Sequence, residues 1–338
     1  MVGKKTVALL TALVLTSTIF GGCSKTETTS VNGTKSEDKV FKIGITQIVE
    51  HPALDAAREG FVEALESRGF KDGEKIEIDF QNAQGDMQTA QTIAQNFVSE
   101  KQDMILAIAT PTAQAAFNAT KETPILITAV TDPVKAGLVK SMDKSETNVT
   151  GTSDDVSIDK QFELLKKLLP DSKTVGIIYN TSESNSELQV QNAKKAAPEF
   201  GLEIKTAGIT NVNEIPQALS SLIGKIDVLY IPTDNLVASA MPLISNNCYK
   251  NNTPIIGSEK AQVEGGALAT TGIDYFELGF QTGLMAVEVL KGKSPKDIPL
   301  TTLKEMQLVI NTDAAKKLKI NIPEEISSKA EKVTGGVK

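Results

Sequence analysis

The side chains in this sequence that can do chemistry stand just past short apolar runs, and most are hydroxyls, amides and carboxylates. Thr46 and Gln47 follow the first run, with His51 and Pro52 close behind. Ala109-Thr110-Pro111-Thr112 and Thr131-Asp132-Pro133 follow the third and fourth. Further along come Asn180-Thr181-Ser182-Glu183-Ser184-Asn185-Ser186, Thr233-Asp234-Asn235 and Ser258-Glu259. In parallel α/β sheets ligands bind beyond the carboxyl ends of strands, where helix N-termini offer free N–H groups. Such a set suits a small zwitterion. A carboxylate is expected on the N–H groups of Thr112 and Ala113 with the hydroxyl of Thr110 or Thr112, and an ammonium on Asp234 or Asp132. Removing the Asp234 carboxylate should then cost binding and leave the fold intact. Tyr179, Tyr230 and Tyr275 offer a flat wall, or simply fill core. His51 is expected at the lip of the cleft, or as an exposed loop residue. Three of the junctions place proline at a helix start, with Thr110 and Asp132 as natural caps, so capping alone is the competing explanation.

Other chemistries lack their residues. No Gly-x-Gly occurs, so the dinucleotide fingerprint is absent. Gly292-Lys293-Ser294 has Val287 where a phosphate-binding loop needs glycine, and it ends a helical pattern instead of opening one. There is no Gly-x-Ser-x-Gly elbow, and Ser157-x-x-Lys160 stands without its companion motifs. One histidine and two cysteines supply neither a zinc site nor a disulfide framework. A net charge of −7, with Arg58 and Arg68 the only arginines, argues against nucleic acid. The expectation is a binding protein and not an enzyme, with no cofactor and no metal.

The N-terminus reads as an address. Lys4 and Lys5 precede an apolar run from Val7 to Phe20, then Gly21, Gly22 and Cys23. A charged start, an apolar stretch too short to span a bilayer and small residues before a cut describe a secretory signal over residues 1–22. The small pair before the cysteine resembles the lipobox of bacterial lipoproteins, although Phe20 stands where that pattern usually has leucine. Ordinary signal cleavage beside an incidental cysteine is the alternative. The resemblance implies lipidation at Cys23, a polar tether over residues 23–39 and attachment to the outer face of the cell membrane. Cys248 is then alone, and expected to be buried and inert.

The elements that must position these groups alternate in type. At 338 residues, 40% hydrophobic and 23% charged, the chain suits two globular lobes. Val40–Thr46, Ile76–Asn82, Met104–Ala109 and Ile125–Ala129 read as strands, with helices at Ala53–Arg68, Asp86–Ser99 and Thr112–Thr120 between them. The pattern restarts with strands at Thr174–Tyr179, Glu203–Ile209, Val228–Ile231 and Pro254–Gly257. Helices are expected at Ser184–Phe200, Asn213–Leu222 and Val237–Lys250, with Pro198 and Pro216 awkward for the first two. Tyr275–Leu290 is a further helix, and Glu305–Asn311 a late strand before Asp313–Leu318. This predicts two α/β lobes with parallel sheets, residues 40–153 plus about 275–304 and residues 154–274 plus about 305–338. Gly151–Asp155 and Thr270–Asp274 are the expected crossover segments, forming a hinge.

Several segments resemble the substrate-binding lipoproteins of ABC importers, of the tryptophan/tyrosine-type group with the periplasmic-binding-protein type I fold. They are the run from Gly44 to Asp55, Ala109-Thr-Pro-Thr-Ala-Gln-Ala, Thr131-Asp-Pro, Gly151-Thr-Ser-Asp-Asp, the run from Tyr179 to Ser186, and Pro232-Thr-Asp-Asn. The resemblance implies a monomeric extracytoplasmic receptor that closes on an amino acid, with an aromatic side chain favoured, and delivers it to a permease and its ATPase subunits. With the strand-end residues it gives an expected binding set of Thr46, Gln47, His51, Thr110, Pro111, Thr112, Thr131, Asp132, Asp154, Asn180, Ser184, Asn185, Ser186, Thr233, Asp234 and Asn235. A ligand-sensing lipoprotein of the same fold and a sugar or nucleoside receptor are the alternatives.

Overall fold

The computed structural model describes residues 39–337; the expected signal segment, Cys23 and all of the tether but Lys39 lie outside the described residues. The first elements are β1 (Phe41–Gln47), α1 (Pro52–Ser67), β2 (Ile76–Asn82), α2 (Met87–Ser99), β3 (Met104–Ile108), α3 (Thr110–Ala119), β4 (Ile125–Val130) and β5 (Val149–Ser153). The second run is α4 (Ile158–Leu168), β6 (Thr174–Asn180), α5 (Ser184–Ala196), β7 (Glu203–Ile209), α6 (Ile215–Leu222), β8 (Val228–Tyr230), α7 (Asn235–Ser239), α8 (Met241–Lys250), β9 (Ile255–Ile256), α9 (Lys260–Glu264) and β10 (Ala269–Gly272). The chain ends with α10 (Tyr275–Leu290), β11 (Thr301–Thr302), β12 (Gln307–Asn311), α11 (Thr312–Leu318), α12 (Glu324–Ser327) and β13 (Glu331–Val333).

Two sheets result. One is six-stranded in the order β11-β5-β4-β3-β1-β2, all pairs parallel. The other has seven strands, β13-β12-β10-β9-β8-β6-β7, parallel except where β10 meets β12. β3 and β4 are buried along their whole length, as parallel strands covered by helices on both faces must be. The chain passes between the sheets three times: after β5 into α4, after β10 into α10, and after β11 into β12.

Proline decides where the structure departs from the periodicity. The helix expected over Ser184–Phe200 stops at Ala196, and Pro198 lies in a 3-10 turn closed by the left-handed Gly201. Pro216 falls in the first turn of α6, where a missing N–H costs nothing. The helix expected over Val237–Lys250 is two, broken at Ala240, because Pro242 can only open a new one. β5 (VTGTS) and β10 (ATTG) lack the apolar run of a predicted strand, yet both are sheet strands. The expected crossover segments therefore overlap strands, and the chain leaves the sheets only at residues 154 and 273. Helix α4 also escaped the sequence reading, although Phe162, Leu165 and Leu168 mark its buried face.

Two glycines set geometry that matters for the cleft. Gly151 in β5 has φ +139, and a Cβ there would lie 2.0 Å from the Ile127 carbonyl oxygen. That close approach accompanies a register shift in β4 between Ile127 and Val130, inside which Ala129 takes φ +56. On the outer face, α10 returns from the far end of the chain to pack on α1. A Cβ on Gly279 would lie 1.8 Å from the Ala57 carbonyl oxygen, so the two backbones touch there. Thr282 of α10 also ties the helix to β5, its hydroxyl lying 2.8 Å from that of Thr152. Gly279→Ala is expected to destabilise the protein by about 1–3 kcal/mol through overpacking. A urea-denaturation midpoint equal to wild type would show that the helices separate at no cost.

Candidate functional site

Where the carboxyl ends of the two sheets face each other, His51, Leu54, Ala129, Asp154, Thr233, Asp234, Asn235, Ala238, Glu259 and Tyr275 line a narrow cavity. Each side chain arrives from a junction. His51 and Leu54 come from the start of α1, Ala129 from the β4 irregularity and Asp154 from the crossing after β5. Glu259 follows β9, and Tyr275 opens α10. The sheets also meet directly, the Thr131 hydroxyl lying 3.2 Å from that of Thr233.

One end of the cavity is acidic. The Tyr275 hydroxyl donates to Asp154 Oδ2 at 2.6 Å, while Asp154 Oδ1 and Glu259 Oε1 are buried without a protein partner. Among the described residues, no lysine or arginine lines this space. Burial pushes the Asp154 carboxyl up to about 6. Burial, with the negative charge of Asp154 beside it, pushes Glu259 up to about 8. Burial raises the Tyr275 phenol far above its ordinary value.

A second acidic centre is structural. Glu183 is buried and accepts from Asn180 Nδ2 at 3.1 Å, Asn185 Nδ2 at 3.3 Å, Asn235 N at 3.3 Å and Leu236 N at 3.2 Å, as well as from Asn235 Nδ2. Asp234 accepts from Asn180 N at 2.5 Å and caps α7 through Val237 N at 2.9 Å. Burial, then the neighbouring Glu183, raises the Asp234 carboxyl. The polar run from Asn180 to Ser186 mostly builds this scaffold. Asn180 and Asn185 spend their amide N–H groups on Glu183 and on the Thr233 carbonyl, and Ser184 faces solvent. Ser186 is buried beside Asp234.

Of the expected binding set, His51, Asp154, Thr233, Asp234 and Asn235 line the cavity. At α3 part of the expected carboxylate anchor is already engaged. Thr112 donates its hydroxyl to the Ile108 and Ala109 carbonyls at 2.6 and 3.0 Å, and Ala113 N is bonded to Ala109 O, so neither is free. Thr110 and Pro111 are buried in the first turn of α3, which is capped by Ala109; of the three, only the Thr110 hydroxyl lacks a partner. Asp132 is engaged too. It closes its own turn through Val134 N and Lys135 N and pairs with Lys135 Nζ at 3.4 Å. Asp234 caps and cross-links, which overturns its expected freedom to serve only a ligand. Gln47 donates to Val49 O and to Asp55, and Thr46 is fully buried with its hydroxyl unpartnered. Tyr230 fills core against Phe162 and bonds Ser258, whereas Tyr275 alone among the tyrosines lines the cavity. His51 is not an exposed loop residue, being 5% exposed. The binding set omitted Glu259, Tyr275 and Glu183. The first sits at a strand end like its neighbours, but Glu183 was hidden inside a run that reads as uniformly polar.

Two parallel α/β lobes closing a polar cavity between their strand ends define a two-lobed binding protein of the periplasmic type I fold. The chain belongs to the ABC transporter substrate binding protein family, matching it over residues 42–334. It is 54% identical over 318 residues to a tyrosine-binding protein of Clostridioides difficile, covering 93% of this chain and 92% of that one. It is 39% identical to a Streptococcus pneumonia domain solved in complex with L-Trp, covering 87% of this chain and all of that one, with a TM-score of 0.84. A Clostridium difficile substrate binding protein with adhesive properties, in its ligand-free, open form, is 56% identical over 88% of this chain and all of that one. Its TM-score is only 0.67. The more similar sequence superposes worse, as expected if the lobes here have swung toward the arrangement of the complex.

Two predictions follow from the carboxyl groups. Asp234→Ala removes a cap and leaves Asn180 N unpaired, so a loss of about 1–2 kcal/mol in urea denaturation is expected; an unchanged midpoint would show the cap is idle. Asp154 and Glu259 have folded-state values above those of an unfolded carboxyl, so the stability they favour is complete at low pH. It is lost as pH rises from about 4 toward about 8. The ligand-free melting temperature of Asp154→Asn should therefore fall less steeply from pH 5 to 8 than that of wild type, and parallel curves would contradict the assignment.

Proposed function

We propose that the chain is the extracytoplasmic receptor of an ABC importer and binds an amino acid with an aromatic side chain between its lobes. The observation that carries this is the acidic end of the cavity. Asp154 and Glu259 each bury an oxygen that no protein group satisfies, and no lining residue brings a positive charge. A buried carboxyl in that situation favours a cationic donor, which an α-ammonium supplies and a neutral sugar does not. Leu54, Ala129 and Ala238 offer the apolar surface a ring requires. The relatives named for tyrosine and solved with L-Trp support the aromatic class. Closure of residues 154–274 and 305–338 onto residues 40–153 and 275–304 buries the ligand, and the closed monomer is what the permease receives. Gly21-Gly22-Cys23 supports a lipid anchor at Cys23, with the receptor held at the outer membrane face.

Calorimetric titration of the purified protein should give heat with L-Tyr or L-Trp and none with 4-hydroxyphenylpropionate, which keeps the ring and carboxylate but lacks the ammonium. Asp154→Asn should weaken L-Tyr by about 1.5–3 kcal/mol. Equal binding of the deamino compound, or binding of sugars or nucleosides instead, would overturn the site as read.

A further inference from the structure

We infer that His51 reads the polar atom on the ligand's aromatic ring, selecting a phenol or an indole over an unsubstituted phenyl; this rests on the reading of the cavity as an aromatic amino-acid site. His51 is the sole histidine of the sequence and lines the cavity, with Nδ1 and Nε2 buried and neither in good hydrogen-bond geometry with a described residue, the Asn235 amide standing close by. Local structure does not use the imidazole. His51 precedes Pro52 at the head of α1, its carbonyl accepts from Asp55 N at 3.1 Å, and its side chain makes no capping bond. A buried ring with two idle nitrogens is costly unless something in the cavity engages it.

The position of the ring says which part of a ligand that is. His51 stands in extended conformation just before α1 and Leu54 lies in the first turn of that helix, and both line the cavity, which brings the imidazole beside an apolar wall. The ammonium is drawn to Asp154 and Glu259, which come from other elements. Burial holds the imidazole down to about 4, against the raising influence of Asn235 and Asp55, so at neutral pH it does not repel a cation. A neutral imidazole has one donor and one acceptor nitrogen, and its tautomers exchange them. A phenol hydroxyl is both donor and acceptor and an indole N–H is a donor, so either pairs with it. A phenyl ring pairs with neither, and it leaves the imidazole unsatisfied. A site built to bond a ring substituent rejects the analogue without one far more strongly than a merely apolar pocket does.

The test is the ratio of affinities for L-Tyr and L-Phe, measured by calorimetry on wild type, His51→Phe and His51→Gln. Wild type should bind L-Tyr, and also L-Trp, at least about tenfold more tightly than L-Phe. In His51→Phe the ratio should collapse to within about threefold, with the affinity for L-Phe nearly unchanged. His51→Gln keeps a donor and an acceptor at similar reach and should recover part of the ratio, which keeps the test open even if the aromatic replacement folds poorly. A full ratio in His51→Phe overturns this inference and leaves the receptor reading standing. Equal proportional loss of L-Tyr and L-Phe in both variants also overturns it, placing His51 on the ligand's backbone. Failure of wild type to bind any of the three overturns the aromatic reading and this inference together.

Discussion

Carboxyl groups buried at the junction of two lobes, with no lysine or arginine among the described residues that line the cavity, are the constraint on which the rest of the structure turns. Asp154 comes from a crossing segment, Glu259 from the end of β9 and Tyr275 from the head of α10, and they converge only when the sheets face each other. Bringing them together removes water from groups that prefer it. In this arrangement burial works against ionisation, and both carboxyls are displaced upward. A positive group between them reverses that balance. On the proposed reading, occupancy and closure are linked by the same electrostatic interaction.

The fold delivers these groups by means that are individually ordinary. Parallel strands end on one edge of each sheet, so every β–α junction contributes to the same face. The β4 irregularity, made room for by Gly151, places the small Ala129 at the cavity wall. Glu183 gathers Asn180, Asn185 and Asn235 around itself and so fixes the entrance to α7, whose Thr233 approach meets Thr131 across the cleft. Much of the polarity near the site is therefore framework. Buried polar atoms without a protein partner remain on His51, Asp154 and Glu259 at the cavity and on Thr46, Gln47, Thr110 and Asn185 near it.

Much of the architecture was legible because parallel-sheet strands write themselves as apolar runs. Met104–Ile108 and Glu203–Ile209 were read nearly to the residue. β5 and β10 were not, since their threonines and glycines are chosen for a close approach and for contacts with α10 and α4, neither of which has a local signature. At the site, strand-end position identified His51, Thr233, Asp234 and Asn235 as cavity residues. It did not reveal their partners. Thr112 and Asp132 look available in sequence and are consumed by their own helix and turn. Residue type says what a side chain can bond, and only the tertiary arrangement says what it has left to offer.

The packing of α10 against α1 has a consequence for how the chain acquires its structure. Synthesis proceeds from the N-terminus, so α1 and the strands beside it exist long before Tyr275–Leu290. Until that helix arrives, the face of α1 that carries Gly60 and the β5 edge that will receive Thr301 and Thr302 stand uncovered. Contacts of such long sequence separation are slow to form and leave incomplete intermediates prone to associate. The first lobe thus stays open until most of the second has been made, and the second in its turn is completed only by β12 and β13 at the far end of the chain.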